Sequence, residues 1–177
     1  MGLRDIELLG SPVLRQRATE VTAVDDATRA FIDDLFATMD AAEGVGLAAN
    51  QVGVATRVAV IDAEGRRFAM VNPRITQAAG RDSAEEGCLS IPEVYAEVTR
   101  ASRITLEALD RDGQPYVMEA DGLVARAIQH EIDHLDGILF LDHLSPLKRQ
   151  LLVAKYKREN RGQGLTRKVT PDASKQA

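Results

Sequence analysis

The six residues Gln129-His130-Glu131-Ile132-Asp133-His134 constrain this chain more than any other stretch. They lie inside a helical pattern from about Gly122 to Asp136, with Asp121 placed to cap its start and Gly137 just past its end. At a spacing of four, two imidazoles project from one face of a helix and can grip one cation. Glu131, beside the first of them, is placed to hold a metal's water and take its proton. The plainer alternative is two unrelated helix histidines, one buried and one solvated, with Glu131 on a charged face. Histidine is scarce, three in 177 residues, and two of the three fall at ligand spacing. That favours a metal.

Two histidines leave the shell short, since catalytic sites usually have three protein ligands and an open position. Downstream, His143 follows His134 by nine residues, three more than the metzincin spacing of six, and Glu159 lies in a basic segment. Upstream, Glu86-Gly87-Cys88-Leu89-Ser90 holds the only cysteine of the chain. Cys88 is therefore either a soft third ligand or a free thiol packed as a small hydrophobe. A third segment, Gly44-Val45-Gly46-Leu47-Ala48-Ala49-Asn50-Gln51, mimics the dinucleotide fingerprint G-x-G-x-x-A. That fingerprint must follow a strand and open a helix. Here it follows a helical pattern and leads towards a strand, so the glycines are read either as an ordinary helix-ending loop or as a backbone edge that a substrate approaches, with Gln51 presenting its amide.

The remaining pattern is α+β. Ala27, Phe31, Leu35, Met39 and Ala42 recur at helical spacing over 26–43, with Asp25 or Asp26 as cap and Gly44 as stop. Residues 56–61 and 67–71 predict one hairpin, and 104–109 and 115–118 a second. A last helix is predicted to start near Pro146, with Leu147, Leu151, Leu152, Lys155 and Tyr156 along one side. Beyond Arg161 the composition turns to Gly, Thr, Lys, Ser and Gln, so one domain over 1–161 and a disordered tail over 162–177 are expected. No apolar run approaches the roughly 20 residues of a membrane helix. One cysteine excludes an internal disulfide, and Met1–Glu7 lacks the apolar core of a signal peptide, so the expected location is the cytoplasm. The formal net charge of −5 hides a split: residues 1–147 hold 13 Arg, no Lys and 25 acids, while 148–177 hold all five Lys, four Arg and only two acids.

Taken together, segments 44–51, 86–90 and 129–137 resemble, in order and spacing, the three signatures of the peptide deformylase family. The resemblance extends from about Ile6 to the last helix. It implies small antiparallel sheets packed around a central metal-binding helix, with helices at both ends. It implies an enzyme that removes the formyl group from the N-terminal formyl-methionine of newly made proteins. Cys88, His130 and His134 would then be the ligands of one divalent metal, Fe2+ natively, with Zn2+, Ni2+ or Co2+ able to replace it. Glu131 would be the general base and acid for the metal's water. Gln51 and the Leu89 N–H would stabilise the oxyanion. Val45, Gly87, Leu123 and Ala127 would line the methionine pocket, and Gly46 would pair its backbone with the peptide. Tyr95 stands where many members carry a substrate-side Arg, and Arg126 where many carry an aliphatic residue. The implied partners are formylated nascent chains and, through the basic C-terminal helix, the ribosome; the implied state is a monomer. The competing expectations are a zinc peptidase built on the same His-Glu-x-x-His chemistry and a non-catalytic ribosome-associated metal-binding module.

Overall fold

In the computed structural model, which describes residues 2–171, a short strand β1 (Ile6–Glu7) leads through a 3-10 turn at Pro12–Arg15 into helix α1 (Asp26–Ala41). Asp25 starts that helix: its carboxylate accepts from the Thr28 amide at 2.9 Å, satisfying one of the free N–H groups of the first turn. Strand β2 (Gly46–Ala48) follows, then a 3-10 turn at Ala49–Val52 and the hairpin β3 (Val58–Ala63) and β4 (Arg66–Ala79). A second hairpin, β5 (Asp82–Cys88) and β6 (Ile91–Arg100), precedes the third, β7 (Arg103–Leu109) and β8 (Pro115–Asp121). Helix α2 (Gly122–Leu135) and helix α3 (Pro146–Glu159) flank a 3-10 turn at Phe140–His143, and β9 (Thr166–Arg167) closes the described chain.

Five strands form one antiparallel sheet in the order β2-β3-β4-β7-β8. Strand β3 explains how that sheet is covered. Its side chains alternate, sending Val58 and Val60 to Ile32, Leu35 and Met39 of α1, and Ala59 and Ile61 to Val124 and Ile128 of α2. A strand buried on both faces reads as an unbroken apolar run, which Val58-Ala59-Val60-Ile61 is. The metal-motif helix is thus packed on one face of the sheet and α1 on the other. The α+β expectation holds, and β5–β6 forms a separate two-stranded sheet beside α2.

Three expectations need correction. Asp121 occupies the N-cap position of α2 but its side chain makes no capping hydrogen bond. The expected apolar side of α3 is divided: Tyr156 is buried and Leu152 and Val153 pack beside it, whereas Leu147 and Leu151 are exposed. Order also does not stop at Arg161. Thr166–Arg167 pairs antiparallel with Ile6–Glu7, and the Leu8 N–H donates to the Leu165 carbonyl at 2.7 Å. The Leu165 side chain lies against Gly10, so an open strand edge and one apolar anchor supply what composition lacked. The rest of the expected tail, 172–177, lies outside the described residues.

Candidate active site

Helix α2 carries His130 and His134 on the side that faces the β5–β6 hairpin, and Cys88 ends β5 at the tight reversal Leu89-Ser90. A register shift between Glu86 and Cys88 turns the thiol towards the helix. Cys88 Sγ lies 3.3 Å from His134 Nε2, and the two histidine Nε2 atoms are 3.2 Å apart. One ligand atom from each residue falls within 4.8 Å of the others. This brings together the predicted upstream cysteine and both histidines. His143 stays outside the cluster, bonded through Nε2 to Asp133 at 2.8 Å.

The cluster is held from behind. His130 Nδ1–H donates to Glu86 at 3.0 Å, which leaves Nε2 free to face the cluster. Glu86 itself accepts from Arg100 Nε at 2.6 Å and Nη2 at 2.9 Å, and from Arg126 Nη1 at 2.6 Å. All four of these side chains are buried. Burial alone would raise the Glu86 carboxyl, but hydrogen bonds from His130 and Arg100 and the Arg100 charge outweigh it and hold the group well below the usual carboxylate range. Arg126 is engaged: besides Glu86 it donates to the Val98 and Asp82 carbonyls, each at 2.8 Å.

Glu131 is 4% exposed, with Oε2 buried and without a hydrogen-bond partner among the described residues. Burial pushes its carboxyl up to about 7 in the metal-free site, the range in which a group can both take and return a proton near neutrality. At Gly44 and Gly46 a side chain would displace the groups of the site. A Cβ on Gly46 would stand 2.7 Å from Glu131 Oε1, and one on Gly44 would stand 2.8 Å from the Leu89 side chain. Gln51 is buried in the turn that follows. Its Oε1 accepts from the Ala48 N–H at 3.0 Å, and its Nε2 donates to Ser90 Oγ at 3.1 Å while standing 3.6 Å from Cys88 Sγ.

The donor set fits a divalent cation. A soft thiol and two imidazole nitrogens converge on one point, and a carboxylate oxygen without a partner lies beside them. Against burial, hydrogen bonds to Cys88 and Glu86 draw the His130 pKa well up, while burial and the His130 charge drive His134 well down. A cavity of about 500 Å³ opens onto this cluster and is lined by Val45, Gly46, Gly87, Tyr95, Leu123 and Ala127, together with Gln51, Cys88, Leu89, His130 and Glu131. His134 lies behind its wall. A larger groove, about 600 Å³, crosses the sheet near Arg66 and Arg103 and holds none of these groups.

The polypeptide deformylase family model matches residues 3–150. A peptide deformylase of Chromohalobacter salexigens is 53% identical over 152 residues, 84% of this chain and 89% of that protein. One of Brucella suis is 49% identical over 164 residues, 89% of this chain and 94% of that protein. The chain belongs to the polypeptide deformylase family. Among solved structures, the deformylase of Legionella pneumophila superposes with a TM-score of 0.85 at 43% identity, covering 92% of this chain and 100% of that one. The deformylase of Ehrlichia chaffeensis in complex with actinonin gives a TM-score of 0.88 at 37% identity, covering 91% and 99%. The enzyme is accordingly a hydrolase that removes the formyl group from N-terminal formyl-methionine, in a metal-dependent family. No helix among the described residues is long and apolar enough to cross a membrane.

Every predicted site residue of this deformylase lies in the cavity wall or directly behind it. Sequence reasoning gave no role to Glu86 and did not reach Arg100 or Arg167. Arg100 had a legible signal: on β6 it follows Val94, Ala96 and Val98 on the inward face, where a charge needs a buried partner. Arg167, which also lines the cavity, had none, because it lies in the segment read as tail.

Proposed function

We propose that Cys88, His130 and His134 hold the enzyme's divalent metal, ferrous iron in the native protein, and that Glu131, Gln51 and Leu89 carry the hydrolysis of the formyl amide. The observation that carries this reading is the convergence of three ligand atoms beside the unpartnered carboxylate at the floor of one cavity. When bound, the ion supplies Lewis acidity, which makes water nucleophilic near neutral pH and polarises the formyl carbonyl. Glu131 takes the proton of the attacking water on its free oxygen and delivers it to the departing amine. Gln51, its side chain locked by the Ala48 N–H on Oε1 and by Ser90 Oγ on Nε2, donates from Nε2 to the formyl oxygen as charge develops there, together with the Leu89 N–H. Fixed donors of this kind are worth about 3–4 kcal/mol each in the transition state.

The methionine side chain enters the apolar wall formed by Val45, Gly87, Leu123 and Ala127, and Gly46 pairs its backbone with the peptide. Tyr95 stacks its ring edge over Gly87, where a Cβ would stand 2.6 Å away, and forms one rim of that pocket. Incubation of anaerobically purified protein with formyl-Met-Ala-Ser tests the assignment. Formate and a free amine with intact peptide bonds are the expected products; internal cleavage would select a peptidase instead.

The basic segment supports a second contact. Lys148, Arg149, Lys155, Lys157, Arg158 and Arg161 lie on or just beyond α3, and such a surface suits rRNA phosphates with an affinity that falls steeply with salt. Reversal of Lys148, Lys155 and Arg158 to Glu is expected to abolish co-sedimentation with ribosomes. Unchanged co-sedimentation would reduce the segment to a solvated surface. The enzyme is read as a cytoplasmic monomer, which gel filtration of the purified protein tests.

A further inference from the structure

Two arginines line the active-site cavity, and they differ in one decisive respect. Arg126 spends its guanidinium on Glu86, Val98 and Asp82. Arg167, delivered from the far end of the chain by the pairing of β9 with β1, forms no ion pair among the described residues. Its Nε is buried and has no acceptor among them. Glu43, Glu85 and Glu93 also line the cavity, and none of them is bonded to it. A guanidinium that borders a cavity without a carboxylate partner is open to an acceptor that enters it.

From this we infer that Arg167 is a substrate-binding residue, and that the C-terminal strand is part of the active site. This rests on the deformylase reading above and deepens it. The acceptor is a main-chain carbonyl of the substrate beyond its methionine. A nascent chain must leave the cavity with its backbone unpaired and its side chains unspecified, so a guanidinium aimed at the backbone serves every sequence alike.

The test compares formyl-Met-Ala-Ser, which has main chain beyond the methionine, with formyl-methionine amide, which does not. Arg167→Ala is expected to raise KM for the tripeptide about ten-fold, the loss of one hydrogen bond to a charged donor, with kcat within about two-fold. On the amide both constants should stay within about two-fold of wild type, and Arg167→Lys should recover most of the tripeptide KM. Leu165→Asp, which detaches β9 while keeping Arg167, should reproduce the tripeptide defect. An Arg167→Ala enzyme equal to wild type on both substrates, or equally impaired on both, would overturn the inference. So would a defect in Leu165→Asp with none in Arg167→Ala, which would make the strand merely structural. A wild-type protein that releases formate from neither substrate would overturn the functional reading itself, and this inference with it.

Discussion

Helices α2 and α3 are both 14 residues long, and the chain uses them in opposite ways. Helix α2 buries nine of its residues, among them His130, Glu131, His134 and Arg126. Helix α3 buries only Tyr156 and shows its basic residues, Leu147 and Leu151 to solvent. A helix that carries chemistry must be fixed to a fraction of an ångström, so it is packed on the sheet and clamped through Glu86. A helix that offers charge needs only one anchor. The difference shows that burial, more than helical pattern, separates the part of the molecule that reacts from the part that presents a surface.

If α2 is the reacting helix, Glu131→Gln should have the largest effect. It is expected to lower turnover about 10²–10⁴-fold, the usual contribution of a positioned acid–base group. Metal content measured on the same preparation should be unchanged. An active Glu131→Gln enzyme would move the proton chemistry off α2.

The next effect sharpens how α2 is clamped. Glu86→Gln keeps the shape of the side chain but removes the charge that His130, Arg100 and Arg126 share, and metal affinity should fall about 10–100-fold. Glu86 titrates below the usual carboxylate value of 4.5, so its contribution to stability is full above that pH and lost as the pH falls towards the lower folded value. Urea unfolding of the metal-stripped proteins should therefore find wild type and Glu86→Gln far apart at neutral pH and converging in acid. A gap independent of pH would mean the clamp is not electrostatic.

On α3 the anchor is a single side chain. Tyr156→Ala should cost about 3 kcal/mol of unfolding free energy, the low end for aromatic truncations in cores, while kcat/KM of the folded enzyme stays near wild type. Loss of activity out of proportion to unfolding would show that α3 communicates with the site. The smallest effect is expected at Leu151→Ala, within about 0.5 kcal/mol, because the side chain is 61% exposed. A larger loss in thermal unfolding would mean that this face of α3 is covered in solution.

Much of the site was legible in order along the chain. His130 and His134 need only helical periodicity to meet, and the capping and stop signals around 122–137 supplied it. Cys88 was legible as a candidate because it is the only thiol, yet its distance from the helix was not, since β5 reads as a polar run, Asp82-Ser83-Ala84-Glu85-Glu86, with no alternation to announce a strand. The hairpin exists because β6 offers Val94, Ala96 and Val98 to a core shared with Phe140 and Tyr156. Strand β4, predicted to end near Val71, continues to Ala79 because β7 pairs with its exposed half. The pairing of Thr166–Arg167 was missed for the same reason: local composition does not record that β1, at Ile6–Glu7, leaves an edge open at the other end of the chain.

The sequence by itself determined the chemical groups: a helix bearing two histidines at ligand spacing and a carboxylate, one thiol, one amide-bearing loop, and the split of charge between body and end. These follow from residue type and short-range spacing, where backbone periodicity alone sets the geometry. Only the tertiary structure decided which carboxyl is pushed up and which is held down, Glu131 or Glu86, because burial and the buried arginines act through space. It alone decided that Arg126 is spent while Arg167 Nε finds no acceptor among the described residues, since a guanidinium's role depends on which acceptors packing brings within reach.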